Sequence, residues 1–238
     1  MTGPRIVLYG ASGHAHAVRC YLEQAGLAEV VAFIDDFRGE EGLRLRDTPI
    51  ISFEAWHDRL PDHPCVVAIG DPAAKRRLAE KIAGAGGRSC CLHDAPGHRF
   101  HEVAIGPGSY VQTPVYIGPN SHVGEHVAIM AMTTIGHDVE IGDYCTICPS
   151  CSIGGQVVVE AEVFLGAGSI IINGRPEQPI VIGRGATVAA GAVVTKTVPP
   201  GVTVMGNPAR PLRELAVERA REAKRTIGSG PEQTRSRE

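Results

Sequence analysis

From Ile105 onward, aliphatic residues recur at every sixth position. They are Ile105, Val111, Ile117, Val123, Ile129, Ile135, Ile141, Ile147, Ile153, Val159, Leu165 and Ile171, twelve in succession without an exception. Glycine directly follows seven of them, at 106, 118, 124, 136, 142, 154 and 166, and the beat resumes at Ile182-Gly183, Val188 and Val194. An α-helix with 3.6 residues per turn would rotate such a stripe away from one face. A simple half-buried strand would alternate with period two. A period of six with small turn residues predicts a triangular coil. Each side is a short strand, three sides make a rung, and stacked rungs bury a column of inward aliphatics. Residues 105–172 hold nearly four rungs and 180–205 more than one. The bland alternative, a β-sandwich with accidental spacing, does not produce twelve matches in a row. The insertion Asn173–Pro179 breaks the beat. It is expected to bulge from one corner as a loop, a place for function or for tolerated extra length.

The front of the chain has a different pattern. Arg5–Tyr9 is a buried strand, Gly10-Ala-Ser-Gly13 a tight turn, and His14–Ala25 has helical spacing at Ala17, Val18, Tyr21 and Leu22, ending at Gly26. Val30–Ile34 is a second strand closing on Asp35-Asp36. This βαβ unit puts a glycine turn at a helix N-terminus, where free N–H groups suit a phosphate. Cys65–Ile69 is a third strand, and a helix over Ala73–Ala83 carries a basic face of Lys75, Arg76 and Arg77. A full dinucleotide fingerprint needs glycine at position 8, which is Leu8. A nucleotide diphosphate fits better than a redox dinucleotide, with Asp35 and Asp36 placed to read ribose or base. The alternative for these aspartates is a solvated strand end. The join falls near Asp94–Phe100, giving an α/β Rossmann-like unit over 1–98, a coil over 99–210, and a charged helix with a disordered tail over 211–238.

Charge and cysteines narrow the chemistry. Among 238 residues, 23 Lys and Arg against 26 Asp and Glu give a net charge of −3, so no positive field favours nucleic acid. No run approaches the roughly 18 apolar residues of a membrane span, and the first residues read as a strand rather than a secretory signal. The seven cysteines then read as reduced thiols of a cytoplasmic protein. Cys145-x-x-Cys148-x-x-Cys151 is like an iron–sulfur ligand run, but the fourth cysteine and its proline are absent. Cys145 and Cys151 fall on successive sides of the coil and read as packing.

Four motifs carry a family resemblance: Tyr9-Gly-Ala-Ser-Gly-His14, Phe33-Ile-Asp-Asp36, Ile135-Gly-His-Asp-Val-Glu-Ile-Gly142 and Gly201-Val-Thr-Val-Met-Gly-Asn-Pro-Ala-Arg210. Over roughly residues 5–210 the chain resembles the sialic-acid and bacillosamine-type sugar O/N-acyltransferases. The resemblance implies a left-handed parallel β-helix behind the nucleotide-binding unit, a homotrimer with sites between neighbouring coils, and acetyl-CoA as co-substrate. It implies N-acetylation of a nucleotide-linked 4-amino-4,6-dideoxy sugar, with no nucleic-acid or membrane partner. O-acetylation, or non-catalytic binding of a nucleotide sugar, are the alternatives within the same resemblance. By motif, His137 matches the general base and Asp138 the acid beside it. Gly10, Ser12, Gly13, His14, Asp35 and Asp36 match the nucleotide-sugar loop. Gly155, Ala167 and Ala190 fall where the coil meets the pantetheine arm, and Lys196 and Arg210 where CoA phosphates lie. Thr146 stands where some members carry a second histidine near the thioester, and His16 where a lysine is frequent. Hexapeptide coils also host zinc lyases, for which His98, His101, His122, His126 and His137 come into question. The spacing of His122 and His126 puts them on different corners, and no metal is expected.

Direct acyl transfer needs a base for the attacking amine, and imidazole titrates in the right range. An acceptor must hold its second nitrogen. Asp138, Glu140, Glu160 or Glu162 could serve, though Asp138 needs a corner turn or a neighbouring subunit, because successive strand residues point to opposite faces. The developing oxyanion needs a donor, either a backbone N–H or the Thr146 hydroxyl.

Overall fold

The computed structural model describes residues 3–39, 42–93 and 102–228. The expected join, the 98/99 boundary, His98 and His101, and most of the tail lie outside the described residues. The N-terminal unit runs β1 (Arg5–Tyr9), α1 (Gly13–Gln24), β2 (Glu29–Ile34), β3 (Arg44–Leu45), β4 (Thr48–Ile51), α2 (Phe53–Arg59), β5 (Cys65–Val67) and α3 (Pro72–Gly84). The sheet order is β3-β4-β2-β1-β5, parallel except for β3. Its central strands are buried on both faces, hence their unbroken apolar runs. Ile6 and Leu8 pack with Ala15, Val18 and Leu22 of α1. Val7 and Tyr9 pack on the other side with Trp56, Ala79 and Ile82. Each helix starts on a side-chain cap: Ser12, Ser52 and Asp71 accept from Ala15, Ala55 and Ala74. The expected βαβ unit is present, with the third strand ending two residues early at Val67.

The coil is three stacked parallel sheets, as in a left-handed β-helix. Strand partners lie eighteen residues apart, as in Tyr110↔Ala128↔Thr146↔Phe164. Past the 173–179 insertion the offset becomes twenty-three, as in Phe164↔Thr187 and Ile170↔Val193, so the insertion adds a loop and leaves the stacking intact. The six-residue aliphatics are buried, as expected, except Ile105 at the open end. Each is worth roughly 1.5–3 kcal/mol when fully buried.

A second inward row lies two residues before the first: Ser109, Val115, Ser121, Val127, Thr133, Val139, Cys145, Cys151, Val157, Val163 and Ser169. Its polar members satisfy themselves on the neighbouring rung. Ser109 donates to Gly124 O, Ser121 to Gly136 O, Cys145 to Glu160 O and Cys151 to Gly166 O. Cys145 and Cys151 are therefore small core residues, interchangeable in role with serine. The corners recur with the same period. Asn120, His126, Met132, Asp138, Tyr144, Ser150, Gln156 and Glu162 all have φ between 53° and 65°.

The N-terminal unit docks on the coil face built from Tyr110–Val111, Ala128–Ile129 and Thr146–Ile147. Tyr21 of α1 donates to Val111 O at 2.9 Å, and Arg76 of α3 donates to Glu162 at 3.1 Å. Lys75 corrects the expected basic face. It is fully buried in this seam, donating to Cys145 O and Thr146 Oγ1, each at 2.8 Å. Past the coil, an antiparallel strand Arg210–Pro211 leads into α4 (Leu212–Gly228).

Candidate active site

His137 follows Ile135-Gly136 at the end of a coil strand, and Asp138 is the left-handed corner residue after it, with φ of 54°. That corner turns what would be opposite-pointing side chains toward each other. His137 Nδ1 meets Asp138 Oδ2 at 2.6 Å. Because a carboxylate only accepts, Nδ1 carries the hydrogen and Nε2 keeps a free lone pair. The Asp138 carboxyl is held below its ordinary range, first by the His137 hydrogen bond, with Asn120 and Gln156 adding to it. Asn120 donates from one rung before, at 3.4 Å. Asn120 and Gln156 escaped the sequence reading. Their signal was the eighteen-residue offset that stacks them on Asp138. Glu162 is not an orienter, because Arg76 and Arg184 hold it, and Glu160 caps the Arg184 N–H.

Gly155 lies one rung past His137 and Lys196 lies in the same corner column, next to Thr195. A side chain at Gly155 would meet the imidazole, its Cβ 2.9 Å from Nε2 and 3.0 Å from Cε1. Lys196 is exposed and lines a cavity of about 490 Å³ with Arg175 and Gln178 of the insertion. Ala167 and Ala190 are exposed at the other corner of the same sheet, stacked through Gly191 N–H to Ala167 O. Their lack of bulk leaves backbone open to an extended arm. The structure does not bring Arg210 into this group, since Glu218 takes both its terminal nitrogens, at 2.6 and 2.9 Å. Nor does Thr146 join it, being buried beneath Lys75 on the opposite side of the coil.

The glycine turn holds the second group of expected site residues. Gly10 has φ of 118°, and a Cβ there would press on Ala68 O at 3.0 Å. Gly13 faces open space at the start of α1, and Ser12 caps that helix. His14 points into the seam, with Nε2 3.1 Å from the Tyr110 hydroxyl, and burial with nearby Lys75 lowers its pKa. Asp35 accepts from Phe37 N–H, Arg38 N–H and Arg38 Nε, each at 3.0 Å, and Arg38 reaches Ala11 O at 2.7 Å. Asp36 accepts from the Tyr9 hydroxyl at 2.6 Å and from Lys81 at 3.1 Å, while Lys81 sits 4.1 Å from the Phe53 ring centre. Both aspartates are thus structurally tied, and Arg38 bridges the two loops. Burial, then the Asp36 hydrogen bond, pushes the Tyr9 phenol above its ordinary range.

Of the other histidines, His122 is exposed on one sheet face, while His126 is buried and stacked on Tyr144 at 5.7 Å. Among the described residues no cluster of His, Cys, Asp and Glu is arranged to hold a metal, and no helix is long and apolar enough to cross a membrane.

Comparison with known proteins fits this geometry. Residues 5–82 match the PglD N-terminal domain, 120–155 the bacterial transferase hexapeptide (six repeats), and 156–196 the hexapeptide repeat of succinyl-transferase. The class is therefore a hexapeptide-repeat transferase with a PglD-type front. WeeI from Acinetobacter baumannii AYE superposes with a TM-score of 0.69 at 30% identity, covering 87% of this chain and all of that one. PerB from Caulobacter crescentus, solved with CoA and GDP-perosamine, gives 0.76 at 27% identity, covering 89% and 98%. A GDP-perosamine N-acetyltransferase of Escherichia coli O157:H7 is 36% identical over 147 residues, 62% of this chain and 66% of that relative's length. The chain belongs to the sialic-acid and bacillosamine-type sugar acyltransferases, a family of acetyl-CoA-dependent sugar N-acetyltransferases.

Proposed function

We propose that this protein moves the acetyl group of acetyl-CoA to the amine of a nucleotide-linked 4-amino-4,6-dideoxy sugar, with His137 as general base. The observation that carries the reading is the His137–Asp138 pair, whose geometry leaves Nε2 free at an exposed corner. The complex of PerB with CoA and GDP-perosamine supports the pairing of substrates. As the amine bonds to the thioester carbon, Nε2 takes its proton. As the C–S bond breaks, the imidazolium returns that proton to the departing sulfur. Asp138 keeps the ring in one tautomer and stabilises its charged form. Lys196, Ala167, Ala190 and Gly155 are the residues we assign to acetyl-CoA, and the Gly10–Gly13 turn with the Asp35–Arg38 segment to the nucleotide.

His137 stands on the corner opposite the face where the N-terminal unit docks. We infer that a neighbouring copy brings one half to the other, within a homotrimer. An exposed face bearing Tyr116, Met132, Ile170 and Ile172 is apolar enough for such an interface. We infer a cytoplasmic enzyme with functional units at 1–98, 99–210 and 211–238.

Free-thiol release from acetyl-CoA, across UDP-, dTDP- and GDP-linked 4-amino and 4-hydroxy sugars, tests this reading. Release that requires one amino sugar is expected. His137→Ala should lower turnover by about 10² or more with folding intact. Near-normal turnover in that variant removes His137 from the mechanism.

A further inference from the structure

Among its described residues the coil carries four Lys and Arg side chains: Arg175, Arg184, Lys196 and Arg210. Two are ion-paired, Arg184 to Glu162 at 3.0 Å and Arg210 to Glu218 at 2.6 Å. The other two, Arg175 and Lys196, are exposed, and among the described residues no carboxylate pairs with either. Both line the same cavity of about 490 Å³, and no Asp or Glu lines it with them. Glu177, the only carboxylate of the insertion, stands outside that lining. In a chain of net charge −3, two unpaired cations around one concavity make a local positive field that suits an anion. The insertion holds Arg175 in place. Reciprocal backbone bonds between Arg175 and Gln178, at 3.1 and 2.9 Å, close a tight turn, and Pro176 sits at its first inner position, where a fixed φ favours turning.

Distance along the coil says which anion. His137, Gly155, Asn173 and Lys196 follow one another in a single corner column. With about 4.8 Å between rungs, Lys196 lies roughly 14 Å from the base. The arm of CoA has about thirteen bonds from sulfur to the first phosphorus, and at about 1.2 Å per extended bond it spans roughly 16 Å. A thioester at His137 thus brings a diphosphate to the Arg175–Lys196 cavity, while the 3′-phosphate, across the ribose, falls beyond it.

We propose that the 173–179 insertion is a clamp for the diphosphate of the acyl donor, with Arg175 and Lys196 as its two cations. The inference rests on the acyl-transfer reading for the position of the thioester. Lys196 supplies a point charge from the coil, and Arg175 a planar fork from the insertion. Neither reaches the reacting atoms. They seat the donor so that its thioester stands at the base, and the insertion is a donor-binding element and not spare length.

Arg175→Gln and Lys196→Gln in the full chain remove one charge each from an exposed side chain, so the urea midpoint should hold. Calorimetric titration with CoA, dephospho-CoA, UDP, dTDP and GDP reads binding without turnover. Each variant should weaken CoA about tenfold and dephospho-CoA by the same factor, with the three nucleotides unchanged. KM for acetyl-CoA should rise in step. Unchanged CoA affinity in both variants would overturn the proposal. So would weakened nucleotide binding with CoA unaffected, which would place the other substrate's diphosphate in the cavity. Loss of discrimination between CoA and dephospho-CoA in the variants would move the 3′-phosphate there and overturn the diphosphate assignment. CoA binding that depends on Arg175 and Lys196, with no transfer to any amino sugar, would uphold the clamp while defeating the acceptor assignment. A wild-type protein that binds no CoA would defeat both.

Discussion

Lys75→Met is a direct test of the seam between the two units. The substitution keeps length and removes charge from a side chain with no exposed surface. Burial lowers the Lys75 ammonium from 10.5 to about 7. Between those two values the unfolded chain binds the proton and the folded chain does not, so wild-type stability rises with pH across that window. Below about pH 7 the full cost of a buried charge is present. At about 1.4 kcal/mol per pH unit, the relief has a ceiling of about 5 kcal/mol. Against this, the variant loses two hydrogen bonds of about 1 kcal/mol each. The Cys145 carbonyl stays satisfied, because Ala128 N–H still donates to it at 3.0 Å. Lys75→Met should therefore be more stable than wild type by a few kcal/mol at pH 6 and less stable by about 1–2 kcal/mol at pH 10. Urea unfolding of both proteins at equal subunit concentration, from pH 6 to 10, measures the difference. The buried Tyr9, Cys65 and Tyr110 groups, all raised by burial, are common to both chains and cancel. A difference that stays flat across that range would refute the reasoning.

Gly155→Ala puts a methyl 2.9 Å from His137 Nε2. The ring can swing away, so stability should change by less than about 1 kcal/mol, while turnover falls by about 10²-fold through misplacement of the base. A folded variant with wild-type thiol release would contradict that. Cys151→Ser replaces one member of the inner row by the residue already present at 109, 121 and 169, so unfolding free energy should move by no more than about 1 kcal/mol and activity should hold. Loss of activity in that variant would point back to cysteine chemistry.

The coil was legible because its physics is local and repeated. One inward side chain every six residues is written in the chain as a period, and stacking needs only that period. The βαβ front was legible for a similar reason, as continuous apolar strands and a glycine turn at a helix start. Residues 37–64 passed unread because β3 and β4 are too short to show alternation, and the short α2 rests on only two buried residues, Phe53 and Trp56, and a Ser52 cap. The second inward row also escaped, since serine, cysteine and valine share size and not hydropathy.

Sequence alone determined the coil, the βαβ front with its glycine turn, and the His137–Asp138 pair as candidate chemistry. Only the tertiary structure decided which polar groups are free. It buried Thr146 and Lys75 together, tied Asp36 to Tyr9 and Lys81 from distant positions, turned Arg210 onto Glu218 of α4, and anchored Asn173 on the Gly155 amide. The physical reason is that a period records which way a side chain faces within its own element. Its hydrogen-bond partner is chosen by another element, which the local pattern does not encode.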